Sequence, residues 1–155
     1  MLLPLPLRAA LLALAAPLAA AVVTDCGSPA FAFSSMSIGP DPPVPGQAAF
    51  LNSTGTLKAA VSGGNVSISV LYLGLDLYSA TAFTCGNTVI ELPLDAGVID
   101  LVGFTGCPAA ANSVQSMNMS VTLPTVVPPG DYVILLNASD AALNPILCLN
   151  VSFSE

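Results

Sequence analysis

Histidine and tryptophan are missing from this chain, and basic residues nearly so: Arg8 and Lys58 stand against nine carboxylates. Without histidine there is no Ser-His-Asp or Cys-His nucleophile system. A zinc site would have to use four thiolates, and no CxxC is present. Neither a metal nor a cofactor is expected. So few cations exclude an electrostatic nucleic-acid interface, which needs clustered Lys and Arg, and they disfavour docking on an anionic membrane. Acid pairs such as Asp95 and Asp100 could in principle serve glycoside chemistry. Solvated loop positions suit them better, and the chain is not expected to be an enzyme.

Charged residues make up 7% of the sequence and hydrophobic ones 54%. Part of that apolar excess is N-terminal. "MLLPLPLRAALLALAAPLAAA" has one early positive charge, then an apolar run, then the small-x-small pattern of Ala19-Ala20-Ala21. Residues 1–21 read as a secretory signal peptide. Pro17 would interrupt an uncleaved anchor helix, and the run is short for a span. No later stretch is long and apolar enough to cross a bilayer, and "LNVSFSE" lacks the tail of a lipid-anchor signal. Residues 22–155 form the expected mature domain, enough for one core. They are expected in the extracellular space or in a vacuolar or lysosomal lumen, as a monomer.

Cys26, Cys85, Cys107 and Cys148 behind such a leader imply two disulfides. Three pairings are open, and spacing does not choose between them. Five N-x-S/T sequons, at Asn52, Asn65, Asn118, Asn137 and Asn150, mark candidate glycan sites in a eukaryotic host.

Little of the mature part has helical periodicity. Short alternating runs cut by Gly and Pro predict an all-β sandwich of about seven strands: 31–38, 47–61 with a bend at Gly55, 65–74, 75–83, 113–123, 131–139 and 146–153. Alternation assigns faces. A glycan must meet water, so Asn65, Asn118, Asn137 and Asn150 point outward. The opposite sets point inward: Val66, Ile68, Val70 and Tyr72; Met117, Met119 and Val121; Tyr132, Ile134 and Leu136; Leu149, Val151 and Phe153. Asn52 shares parity with Phe50, so a bulge is required there or the assignment fails.

"GPDPPVPGQ" (39–47) places four prolines between two such strands. It is too short for an interdomain linker and cannot pair as a central strand. It reads as a stiff crossover turn protecting a sheet edge, with Gly46 giving the freedom to re-enter. A polyproline ligand would want basic flanks, which are absent.

In order, "DCGS" (25–28), "SIGPDPPVPGQ" (37–47), "STGTLKAAVSGGNVSISVLYLG" (53–74), "LPTVVPPGDYVILLNASD" (123–140) and "CLNVSF" (148–153) resemble the ML (MD-2-related lipid-recognition) domain family. The resemblance covers roughly residues 24–154. It looks strongest to the fungal phosphatidylglycerol/phosphatidylinositol transfer branch, with the Niemann-Pick C2 sterol proteins beside it. It implies an immunoglobulin-like sandwich with a lipid cavity between splayed sheets, Cys26 paired with Cys148, and Cys85 with Cys107. It makes the inward sets above the cavity candidates and a phospholipid or sterol the ligand, with transient membrane contact. The segment "TVIELPLDAGVIDLVGFTG" between Cys85 and Cys107 is longer than the family's usual loop, and reads as a lid or as an edge hairpin. The scarcity of basic residues departs from members that dock on acidic lipids.

Each residue has a plainer reading. Any sandwich needs inward apolar side chains, Met117 and Met119 fill irregular gaps, and the hydroxyls of Tyr72 and Tyr132 suit either a headgroup or a nearby carbonyl. An adhesion module with a filled core is the alternative function. Its usual buried Trp is absent.

Overall fold

Runs of Val, Ile, Ser, Thr and Phe fold as strands in the computed structural model of the chain, which describes residues 19–93 and 96–154. Most of the expected leader, residues 1–18, and Asp95 lie outside the described residues. The strands are β1 (Val22–Asp25), β2 (Phe31–Gly39), β3 (Ala48–Leu57), β4 (Gly64–Tyr72), β5 (Leu75–Phe83), β6 (Asn87–Glu91), β7 (Val98–Val102), β8 (Val114–Thr122), β9 (Asp131–Asp140) and β10 (Pro145–Ser154). They form two antiparallel sheets of five, ordered β1-β10-β9-β4-β5 and β2-β3-β8-β7-β6. All seven expected strands are present. Ten replace seven because β1, β6 and β7 are four or five residues long, too short to show an alternation. The segment between Cys85 and Cys107 supplies the β6–β7 pair at the edge of the second sheet, so it is an edge hairpin.

The inward sets meet in one core containing Val66, Ile68, Met117, Met119, Leu136, Leu149 and Val151. Among the described residues two polar side chains, Ser53 and Thr84, are buried with them, and both are satisfied. Ser53 Oγ donates to the Met117 carbonyl at 2.6 Å, and Thr84 Oγ1 to the Ser139 carbonyl at 3.0 Å. Strand β3 corrects one expectation. Phe50 faces out beside Asn52, 51% exposed, while Ala49, Leu51, Ser53, Gly55 and Leu57 face in. No bulge in β3 is needed, because Phe50 and the Asn52 sequon share the outward face. The irregularity falls instead in β2, where Ser34 is the extra residue opposite Gly55 and Thr54. Phe31 lies across Gly55, where an added Cβ would strike its ring and the Ala32 carbonyl.

The proline stretch is corrected too. It joins β2 to β3, neighbours in one sheet, so it is a hairpin connection and no crossover. Gly46, at φ 77°, lets the chain turn back, and Pro43 is buried.

The chain passes between the sheets four times, as the strand order requires: β1 to β2, β3 to β4, β5 to β6 and β8 to β9. The first three passages lie at one end, here the closed end. Both disulfides are there, in the pairing the resemblance implies. Cys26–Cys148, with Cα atoms 5.0 Å apart, fastens β1 to β10. Cys85–Cys107, at 6.1 Å, fastens the β5–β6 passage. Backbone bonds add to them: Ala30 N–H to the Ile146 carbonyl at 3.1 Å, and Thr84 N–H to the Gly64 carbonyl at 3.0 Å. The rings of Phe31 and Phe104 stack alongside, centroids 5.6 Å apart.

Replacing Cys148 by Ser should reduce unfolding stability by about 2–5 kcal/mol, since the lost bridge closes a long loop. Denaturant titration of the purified variant beside the parent chain, without reductant, checks this. An unchanged midpoint would remove the bridge from its structural role.

Candidate functional site

Opposite the closed end, the sheets are joined by a single passage, residues 123–130 between β8 and β9. Here an apolar cleft opens between them. Ile38 from β2, Pro43 from the proline connection, Ala49 and Leu51 from β3, Met119 and Val121 from β8, and Leu123 line one wall. Ile134 from β9 and Val151 and Phe153 from β10 line the other. The cavity is about 20 Å³, room for about one water. The expected cavity is therefore in the expected place but not at lipid size, because the two walls meet through interdigitating side chains. A tail enters only if the walls part.

Of the thirteen inward residues proposed from alternation, Met119, Val121, Ile134, Val151 and Phe153 line the cleft. Val66, Ile68, Met117, Leu136 and Leu149 are at most 2% exposed and pack in the closed interior. Val70 and Tyr72 are half-buried against the core, and Tyr132 is buried beside the cleft. Sequence reasoning missed Ile38, Pro43, Ala49, Leu51 and Leu123. The alternation of Ala49, Leu51, Ser53 and Leu57 carried the signal for β3, and the outward Phe50 hid it. Nothing local marks Pro43 as an inward residue. Asp100 lies on the outward register of β7, away from the cleft.

The two tyrosines secure the passage. Tyr72 Oη donates to the Pro129 carbonyl at 2.9 Å and Tyr132 Oη to the Pro128 carbonyl at 2.8 Å. Their rings sit 5.0 Å apart, and Phe153 stacks on Tyr132 at 5.3 Å. The hydroxyls thus bond nearby carbonyls, the plainer of the two readings. Gly130, at φ 147°, fits where an added Cβ would meet the Tyr72 ring. One further bond spans the mouth: Ala21 N–H to Asp41 Oδ1 at 2.7 Å, from the lead-in to β1 to the proline connection. No covalent bridge lies at this end, since both disulfides are at the other.

Two larger hollows lie outside the cleft, and one, of about 290 Å³, adjoins the mouth between Tyr132, Phe153 and the Ala19–Ala20 lead-in. The other, of about 330 Å³, is an open depression on the outer face of the first sheet, floored by Asn65, Ser67, Asn137 and Ser139. Its hydroxyl and amide floor suits water or carbohydrate rather than a hydrocarbon tail. Among the described residues no cluster of His, Cys, Asp and Glu could hold a metal ion.

The sequence model of the ML domain matches residues 20–155. The chain belongs to the ML-domain family. Its relatives include a Dictyostelium discoideum protein that carries the name phosphatidylglycerol/phosphatidylinositol transfer protein. That protein is 30% identical over 145 residues, covering 92% of each chain. A Mycosarcoma maydis protein of the same name is 30% identical over 118 residues, covering 76% of this chain and 56% of its own. Two solved structures share the fold. A Niemann-Pick type C2 protein from Japanese carpenter ant has a TM-score of 0.57 at 15% identity, over 84% of this ML domain chain and 96% of its own. Chicken MD-1 complexed with lipid IVa has 0.55 at 14%, over 90% and 97%.

In this ML domain the tyrosine bonds should set how firmly the mouth passage is held. Tyr72→Phe and Tyr132→Phe should each cost about 1 kcal/mol. In the double variant, amide exchange should accelerate across residues 123–131 and stay unchanged around Thr84 and Cys148. Uniform acceleration over both ends would contradict a local fastening.

Proposed function

We propose that this chain is a secreted lipid carrier that takes an acyl tail into the cleft between its sheets and moves phospholipid between membranes. The observation that carries the reading is the pairing of ML-domain membership with an apolar cleft at the one end of the sandwich that has no covalent fastening. A phospholipid is favoured over a sterol by the relatives named for phosphatidylglycerol and phosphatidylinositol transfer. The chain acts as a monomer, with transient membrane contact and no catalysis. It works in an extracellular or vacuolar-lysosomal space after loss of residues 1–21. Its outward sequon asparagines carry glycans where the host attaches them. Loss of the leader would also remove the Ala21–Asp41 bond and so loosen the mouth.

The energetics suit a cleft that opens on loading. Each methylene leaving water gains about 0.8 kcal/mol, so a dozen gain about 10 kcal/mol. Parting the walls costs their mutual contact, but the incoming chain restores apolar contact to both, so little of either face meets water. Met119 helps, because an unbranched thioether can follow an irregular surface.

Chain purified from a secretory host should release phospholipid into organic solvent and show lipid adducts in native mass spectrometry. Delipidated chain should take up a fluorescent phospholipid. Val121→Phe, which fills the cleft, should lower uptake several-fold at a stability cost of about 1–3 kcal/mol. A folded chain with no extractable lipid and no uptake would overturn the carrier reading and favour an adhesion module with a filled core.

A further inference from the structure

Exposed aliphatic side chains gather round the cleft mouth. Leu73 is 60% exposed, Leu75 70%, Leu77 59% and Val126 81%. Leu73 and Gly74 form the two-residue turn between β4 and β5, at φ 49° and 79°. Both angles are positive, the geometry in which Asn, Asp and Gly are favoured. A leucine held in this conformation and pointed into water is unfavourable twice over, in backbone strain and in apolar exposure. Leu77 is the residue that the β4–β5 bulge leaves out of register. Leu73 N–H donates to the Asp131 carbonyl at 2.9 Å, which sets the leucine turn against the 123–130 passage, and the Tyr72, Tyr132 and Phe153 rings run from beside that turn to the cleft wall. Leu143 shares the positive φ and the exposure but stands at the closed end, where Asp140 and Asn144 occupy its turn.

The charge around the patch selects the surface it fits. Asp41, Asp76, Glu91 and Asp131 lie at this end, whereas Lys58, the one cation of the described residues, follows β3 at the closed end. An anionic bilayer would repel the mouth. A zwitterionic one presents no net charge and accepts apolar side chains at its interface.

We propose that Leu73, Leu75, Leu77 and Val126 insert into zwitterionic phospholipid membranes and seat the cleft mouth on the bilayer without help from anionic lipid. The proposal rests on the carrier reading for its purpose, but docking is measured separately from loading. In flotation of the full chain with phosphatidylcholine vesicles, the parent should rise with the vesicles, and adding salt should not release it. Blending in phosphatidylserine should lower the floated fraction at low salt. L73N/V126S should float several-fold less; asparagine suits the positive φ, so the turn still forms. L143N should float like the parent. Undiminished flotation of L73N/V126S, flotation only with anionic vesicles, or no flotation of a parent that loads detergent-dispersed phospholipid would each overturn docking. A parent that floats yet holds no extractable lipid would leave docking standing and overturn the carrier reading instead.

Discussion

The Cys85–Cys107 bridge grips the chain where it leaves the first sheet for the second, and Thr84 beside it bonds two carbonyl-bearing strands of the first sheet with its backbone and its hydroxyl. Cys26–Cys148 and the Ala30–Ile146 bond fasten the same end from the other side of the fold. The distance between the layers is therefore fixed at one end by the Cys85–Cys107 bridge, the Ala30–Ile146 bond and three of the four passages. At the other end it depends on one passage, the Ala21–Asp41 bond, two tyrosine hydroxyls and side-chain packing. A sandwich fastened evenly at both ends could hold a ligand only in a permanent cavity. One fastened at a single end can stay nearly filled when empty and still admit a guest.

That arrangement bears on stability. A permanent cavity of lipid size would forfeit packing contacts and weaken the domain continuously. Here the walls touch, and the apolar faces of Val121, Ile134 and Val151 stabilise the closed form. The outer faces carry Ser, Thr and Asn in long runs, with hydroxyl pairs such as Thr54 and Ser116 bonded at 3.0 Å. They offer water hydrogen-bonding groups on faces that carry few charges, without adding attraction between layers.

Much of this was legible in the residues. Two-residue alternation with sequons as outward markers placed Asn65, Asn118, Asn137 and Asn150 correctly, and with them the inward sets. Three things were hidden for physical reasons. Phe50 is an exposed aromatic, and hydrophobicity alone puts it inside. Strands β6 and β7 flank a turn containing Pro93 and are too brief for a periodic signal. The width of the cleft was not readable at all, since alternation gives the direction of a side chain and not the distance to what it faces. The tyrosine bonds were open for the same reason: a hydroxyl's partner, whether the Pro128 carbonyl four residues away or the Pro129 carbonyl fifty-seven away, is a tertiary fact.

Lys58, exposed just beyond β3, is the chain's sole lysine. Its amine stands at the pole farthest from the cleft, so an amine-reactive dye coupled there would tag one known spot of the side-chain surface. The other amine, the α-amine that loss of residues 1–21 would leave on Val22, lies at the mouth end, so once it is blocked a single reporter at the Lys58 pole could follow tumbling and tethering of the molecule.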